Sequence, residues 1–268
     1  MDSIRENEKL EDMVTALKME LDADINNELC IVLVEGKDDI KFINRIFGGK
    51  VVCYESFSGK TGLQELIQHA SIQENRIIAI RDKDYANVDE FPERLFCYDT
   101  CCMETMLLAN EEVAEGIYKT YYKGMKDQNA FLLNAMRELA PLSVLREENE
   151  EHGYGIDFKR IGLGDCIDES QEKVKLDVLF SRINQQGLTK DECISKAAAW
   201  RDDELLEKTN GHDLCKFLGK VCGNEKADMG EGKLRDALIC SYRKSDFLAT
   251  YLYNSLNNYQ VRHHLSFV

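Results

Sequence analysis

Proline is nearly absent from this chain: Pro92 and Pro141 are the only two in 268 residues, so hard stops between segments are few. Long apolar runs are absent too. None approaches the roughly 18 residues a membrane span requires, and the opening MDSIRENEKL is charged, so a cytoplasmic protein without a membrane segment is expected. Basic residues are in deficit, 34 against 49 acidic ones, for a formal charge of −15. That balance excludes a protein that coats nucleic acid through a general basic surface, but not an enzyme that meets phosphate through bound divalent cations. The ten cysteines form no C-x-x-C pair, and several sit in apolar runs (Cys30, Cys97, Cys240), which reads as reduced core thiols. Cys97, Cys101 and Cys102 lack a fourth ligand at zinc spacing, and His212, His263 and His264 supply none. No internal repeat or low-complexity segment is present.

What the chain does have is a 44% hydrophobic content, enough for one large domain or two smaller ones. Ile4, Leu10, Met13, Leu17 and Leu21 recur at helical spacing, predicting an amphipathic helix over 4–21. An alternation follows: the apolar run 29–34, a helical pattern over 38–47 closed by Gly48 and Gly49, the run 51–54, and a turn at Ser58-Gly59-Lys60-Thr61-Gly62. It continues with a helical pattern over 63–70 and the runs 77–80 and 95–98. Strand and helix in strict alternation with short links predict an α/β fold, a mostly parallel sheet flanked by helices. Beyond about 103 the pattern is mainly helical, with a possible strand or loop insertion at 153–167, and the acidic run 146–151 reads as a solvated loop or helix end. The expected organisation is an N-terminal helix (1–27), an α/β domain (28–110) and a mainly helical region (111–268) able to pack with it as one unit.

In a parallel sheet the functional edge lies at the carboxyl ends of the strands. The first strand ends in Glu35-Gly36-Lys37-Asp38-Asp39 and the third in Arg81-Asp82-Lys83-Asp84. Gly36 is expected to let the chain turn sharply, and Asp38 or Asp39 to cap the next helix. Carboxylates converging at one edge repel unless a cation sits between them, and a hard ion such as Mg²⁺ takes such oxygens and bridges to phosphate. Lys37, Lys60 and Lys83 are the nearest cations available to a phosphate. Ser58-Gly59-Lys60-Thr61 mimics the end of a P-loop, but Tyr54 stands where that motif needs glycine, so ATP binding there is excluded.

V-E-G-K-D-D after one strand and I-A-I-R-D-K-D-Y after another resemble the Toprim domain shared by topoisomerases, bacterial primases and the overcoming-lysogenisation-defect nucleases. A closer resemblance is to a bacterial Toprim family often encoded beside ABC-type ATPases, which includes the nuclease effector of the phage-defence system called PARIS. The weaker elements of that likeness are Tyr98–Leu108, containing Glu104, and Asn210-Gly211-His212-Asp213-Leu214. The resemblance covers residues 28–110 well and the rest loosely. It implies a divalent-metal-dependent nuclease acting on tRNA or DNA, with Glu35, Asp39, Asp82, Asp84 and Glu104 holding Mg²⁺ or Mn²⁺, and Glu35, Asp82, Lys83 and Asp84 carrying catalysis. It also implies a homodimeric toxic effector controlled by an ATPase partner. His212 and Asp213 are read as capping and orienting a helix. The alternatives are an inactive Toprim-like interaction subunit of an ATPase complex and a small phosphatase on a related fold.

Overall fold

The computed structural model describes residues 10–183, 187–224 and 227–268. The chain begins with α1 (Leu10–Ala23), β1 (Cys30–Val34), α2 (Lys37–Phe47), β2 (Val51–Glu55), α3 (Gly59–Gln68), β3 (Ile77–Arg81) and β4 (Leu95–Cys97). It continues through α4 (Met103–Ala109), α5 (Glu111–Tyr121), α6 (Gln128–His152), β5 (Ile167–Asp168), β6 (Lys173–Val174), α7 (Leu176–Ser181), α8 (Lys190–Ala198) and α9 (Leu205–Lys208). It ends with α10 (Gly211–Val221), β7 (Gly223–Asn224), β8 (Ala227–Asp228), α11 (Glu231–Ser241), α12 (Lys244–Phe247) and α13 (Tyr251–Arg262). Two compact units result: the chain up to Asp99 joined by Arg243–Val268, and Thr100–Tyr242. Ile4, expected in the opening helix, lies outside the described residues.

The first unit is an all-parallel four-stranded sheet in the order β2-β1-β3-β4. Every residue of β1 and β3 is buried, which is why both read as unbroken apolar runs rather than alternating ones: helices cover both faces. Ile31, Leu33, Ile77 and Ala79 point to one face, where Met13 and Leu17 of α1 and Leu63 and Leu66 of α3 close over them. Another part of the unit's core is aromatic. Phe42 and Phe47 of α2 meet the ring of Phe247 edge-on at 6.1 and 5.5 Å, and Phe47 also meets Phe267 at 6.5 Å, so the returning C-terminal segment closes over α2.

The stretch Ser58–Gly62, expected as a turn, is instead the entry to α3. Gly59 takes a left-handed backbone (φ 53) and the Ser56 hydroxyl donates to its carbonyl at 2.8 Å, so the chain bends straight into the helix. Burial of Leu63, Leu66 and Ile67 then outweighs the poor helix propensity of the glycines.

A second feature had no sequence signature. Arg94 is buried and, among the described residues, has no carboxylate in an ion pair with it; its guanidinium instead donates to the carbonyls of Ile67, Ile72, Glu74 and Ile77 and to Gln73 Oε1, at 2.5 to 3.2 Å. It gathers the end of α3 and the entry to β3 onto one side chain.

In the second unit, α6 is the central helix. Residues 139–145 are buried without a break, and α5, α8, α9 and α10 pack on α6. The acidic run 146–151 is its last turns, closed by Gly153 in the left-handed region (φ 66). Arg146 in that run is not solvated: it holds Asp213 through two hydrogen bonds, 2.6 and 3.0 Å, and lies over the ring of Phe158. The segment 153–167 carries one 3₁₀ turn (Leu163–Cys166), and β5 pairs antiparallel with β6.

Replacing Arg94 by Met should lower stability by about 3 kcal/mol, because four main-chain carbonyls lose a charged donor and have no substitute. Urea unfolding followed by circular dichroism reads this as a lower midpoint, and Arg94→Lys, with three donors for five acceptors, should recover only part of it.

Candidate active site

From β1 the chain runs through α2 to β2 on one side, then through α3 to β3 on the other, so the strand order reverses between β1 and β3. A crevice at the carboxyl ends of such a pair is where parallel α/β sheets place ligands. Glu35 is the first residue past β1, and Asp82 the first past β3. The register Val34↔Ile80 sets them side by side, and the Asp82 amide donates to Glu35 Oε1 at 3.2 Å.

Between the acids lies Arg81, whose side chain is 4% exposed. Its Nε donates to the Asp82 carbonyl at 2.8 Å and stands 3.6 Å from Glu35 Oε1, while Nη2 stands 3.6 Å from Asp84 Oδ2. The guanidinium also lies over the ring of Phe91, 5.2 Å from its centroid. Lys60, at the start of α3, reaches Asp84 Oδ2 at 3.4 Å. Asp84 itself has a left-handed backbone (φ 50), a conformation aspartate tolerates better than most residues and one that turns the chain out of the strand.

Asp39 plays a different part. Its Oδ2 accepts from the Gly36 amide at 3.0 Å and its Oδ1 from the Tyr98 hydroxyl at 2.7 Å, so both oxygens are engaged in fixing the start of α2. Gly36 occupies the N-cap position and Asp39, three residues on, accepts from its amide as the capping-box partner, so the expected aspartate cap is Asp39; the Gly36 backbone is extended (φ −151), not left-handed.

Burial pushes the Glu35 carboxyl up to about 7, with the charges of Asp84 and Asp39 adding to the rise and those of Arg81 and Lys60 opposing it. Among the described residues, Glu35 Oε2 and Asp84 Oδ1 accept no hydrogen bond, and no three acidic, histidine or cysteine side chains already close to metal-ligating distance. Half-buried carboxylates gathered at one strand edge, with an oxygen of Glu35 and one of Asp84 unspent, are the kind of donor set that a hard divalent cation takes, so Glu35, Asp82 and Asp84 fit Mg²⁺ or Mn²⁺.

The remaining expected residues fall as follows. Lys83 is half-buried between the two aspartates, and Lys37 is exposed at the first position of α2. Glu104 belongs to the second unit, in the first turn of α4. There it is 4% exposed, with Arg235 Nη1 at 3.9 Å and His212 Nε2 at 4.0 Å, and Gly211 packed against it. Neither His212 nor Asp213 caps α10; Asn210 does, accepting from the Asp213 amide at 3.2 Å. Glu231, hydrogen-bonded at Nδ1, raises the His212 pKa. The sequence assigns no role to Arg81 or Tyr98, though both lie in stretches that it singles out. Arg81 left a signal, a charge closing the apolar strand I-I-A-I-R; Tyr98 stood out only as the first residue of the Tyr98–Leu108 element, and its bond to Asp39, 59 residues away, had no local sign.

No family model matches this chain, and no curated protein matches it in sequence.

A carboxyl whose folded pKa lies above its unfolded value favours the folded state fully below the unfolded value, and that contribution fades as pH rises through the folded one. In a chelator, stability should therefore fall between about pH 5 and pH 8, and Glu35→Gln should flatten that fall. Added Mg²⁺ should stabilise the unmodified chain more at pH 8 than at pH 6, read as the shift of the urea midpoint; an equal shift at both would separate Glu35 from the cation.

Proposed function

We propose that the chain is a divalent-metal-dependent phosphodiesterase of the Toprim kind, a nuclease acting on tRNA or DNA. The observation that carries this reading is the meeting of Glu35 and Asp82 where the strand order reverses. The Glu35 carboxylate at one strand end meets the main chain of Asp82 at the end of the adjacent parallel strand, with Asp84 two residues further along.

In this reading Glu35, Asp82 and Asp84 hold the cation. When bound, Mg²⁺ or Mn²⁺ activates water for in-line attack and neutralises the departing oxygen. Asp39 and Tyr98 fix the start of α2 and so the loop that carries Glu35. Arg81 and Lys60, the cations at the edge, balance the acids and offer positive charge to the substrate phosphate. Hydrolysis by this route needs no covalent residue. The resemblance in sequence adds an expected setting: a homodimeric antiphage effector restrained by an ATPase partner.

The ion pairs that Arg81 and Lys60 make with Glu35 and Asp84 also favour a second reading, an inactive interaction subunit whose acidic edge is structural. Metal titration divides the two, since only the enzyme reading requires Mg²⁺ or Mn²⁺ binding that Glu35→Gln weakens.

The decisive assay compares the unmodified chain with Glu35→Ala and Asp82→Asn on tRNA and on DNA, with Mg²⁺ or Mn²⁺ present. Each substitution should lower cleavage by more than about a hundredfold, beyond the loss typical of removing a residue that only supports a metal ligand. Equal cleavage by all three proteins would sink the assignment.

A further inference from the structure

Against a whole-chain balance of 34 cations to 49 acids, one groove of the second unit reverses the sign. It has a volume of about 270 Å³ and is lined by Lys159, Lys216 and Lys220 and by Gly162, Gly164, Gly219 and Gly230, with Asp165 and Glu231 the acids on its wall. Both acids have arginines of their own: Arg182 stands 3.3 Å from Asp165, and Arg235 3.1 Å from Glu231. Lys216 also reaches Glu231 at 3.6 Å, and Lys220 reaches Glu169 at 3.4 Å. Lys159 is exposed and forms no ion pair among the described residues.

The glycines shape this groove. Lys216 and Lys220 lie one turn apart on α10, and a Cβ at Gly164 would stand 3.9 and 3.8 Å from their stems, so the lysines flank bare main chain. At Gly219 a Cβ would come within 2.8 Å of the Gly230 carbonyl carbon; α10 and the approach to α11 touch backbone to backbone because residue 219 is glycine. Gly162 has a left-handed backbone (φ 61) that other residues rarely adopt. The result is a smooth-walled trough with long, flexible point charges along it. Apart from the ring of Phe158 on its wall, such a surface has few groups with which to meet a base, but its ammonium groups can follow a row of regularly spaced monoanions.

We propose that this groove seats the phosphodiester backbone of a polynucleotide. The proposal rests on the nuclease reading of the strand-end site for its substrate class, and it gives an acidic chain a local surface on which long substrate can dwell.

The test measures binding of fluorescently labelled tRNA and of a single-stranded DNA oligonucleotide by anisotropy, in EDTA, over 50 to about 200 mM salt. The full chain is compared with K159A/K216A/K220A and K159R/K216R/K220R. The alanine variant should bind at least about tenfold more weakly at the lowest salt, and the slope of log affinity against log salt should fall by about 2, while the arginine variant keeps both. Hydrolysis of bis(p-nitrophenyl) phosphate with Mn²⁺, which needs only the strand-end carboxylates, should be the same in all three. Equal affinities and slopes for the alanine and arginine variants would overturn the proposal. So would competition by pyrophosphate as effective as by the oligonucleotide, which would mark a small-anion pocket. Loss of polynucleotide binding in the alanine variant with no phosphodiester hydrolysis by any variant would instead leave the groove standing and remove the enzyme reading.

Discussion

The pairing of β1 with β3 is the constraint on which the rest depends. Their register, Ile31↔Ile77 through Val34↔Ile80, is parallel and buried on both faces, so a slip of one residue would exchange the sets that face α1 and α3 with those that face away. It would also carry Glu35 away from the Asp82 amide. The apolar contacts that fix the register and the polar contact that defines the site are thus one event. Burying two continuous hydrophobic strands leaves the first charged residue of each at a single level above the sheet.

That coupling explains which features could be read from the sequence. A strand covered on both faces must be apolar at every position, so β1 and β3 announced themselves, and the charges that terminate them stood out against the runs. What no run discloses is adjacency. The order β2-β1-β3-β4 is set by how α2 and α3 cross the sheet, and the 46-residue interval from Glu35 to Arg81 contains no local sign that their strands will be neighbours. The return of α12 and α13 to the first unit is hidden for the same reason: it is driven by Phe247 and Phe267 finding Phe47, contacts of long sequence separation. Local rules failed at Gly59, where turn chemistry and the burial of Leu63 and Leu66 pointed to different structures and burial won.

The acidic balance of the chain, which speaks against a general nucleic-acid-coating surface, becomes more specific once charge is placed in space. At the strand ends, Glu35 and Asp84 share Arg81, Lys60 pairs with Asp84, and Glu35 still rises to about 7. Positive charge is insufficient there for the negative charge that burial has concentrated, so the edge favours a cation or a proton over a bare anion. A phosphate could be held at that edge only with added positive charge. Net charge therefore limits how substrate is bound rather than whether it is.

Two buried guanidinium groups in the same unit separate structural burial from functional burial. Arg94 has no carboxylate in an ion pair with it among the described residues but meets five acceptors within 3.2 Å; its desolvation is met by geometry, and the guanidinium is spent on the fold. Arg81 is equally withdrawn from water yet has one good acceptor, the Asp82 carbonyl, with carboxylates waiting at 3.6 Å and Nη2 left without a hydrogen bond. An unmet donor on a buried cation costs roughly 1 to 3 kcal/mol, a cost that packing alone would relieve by moving the side chain or replacing it with an apolar one. What holds Arg81 in place is the field of Glu35 and Asp84, and those acids are themselves held by β1 and by the strained turn at Asp84. The under-satisfied arginine and the under-neutralised carboxylates are one arrangement seen from its two charges. Its stability as a site follows from the sheet beneath it rather than from the polar contacts within it.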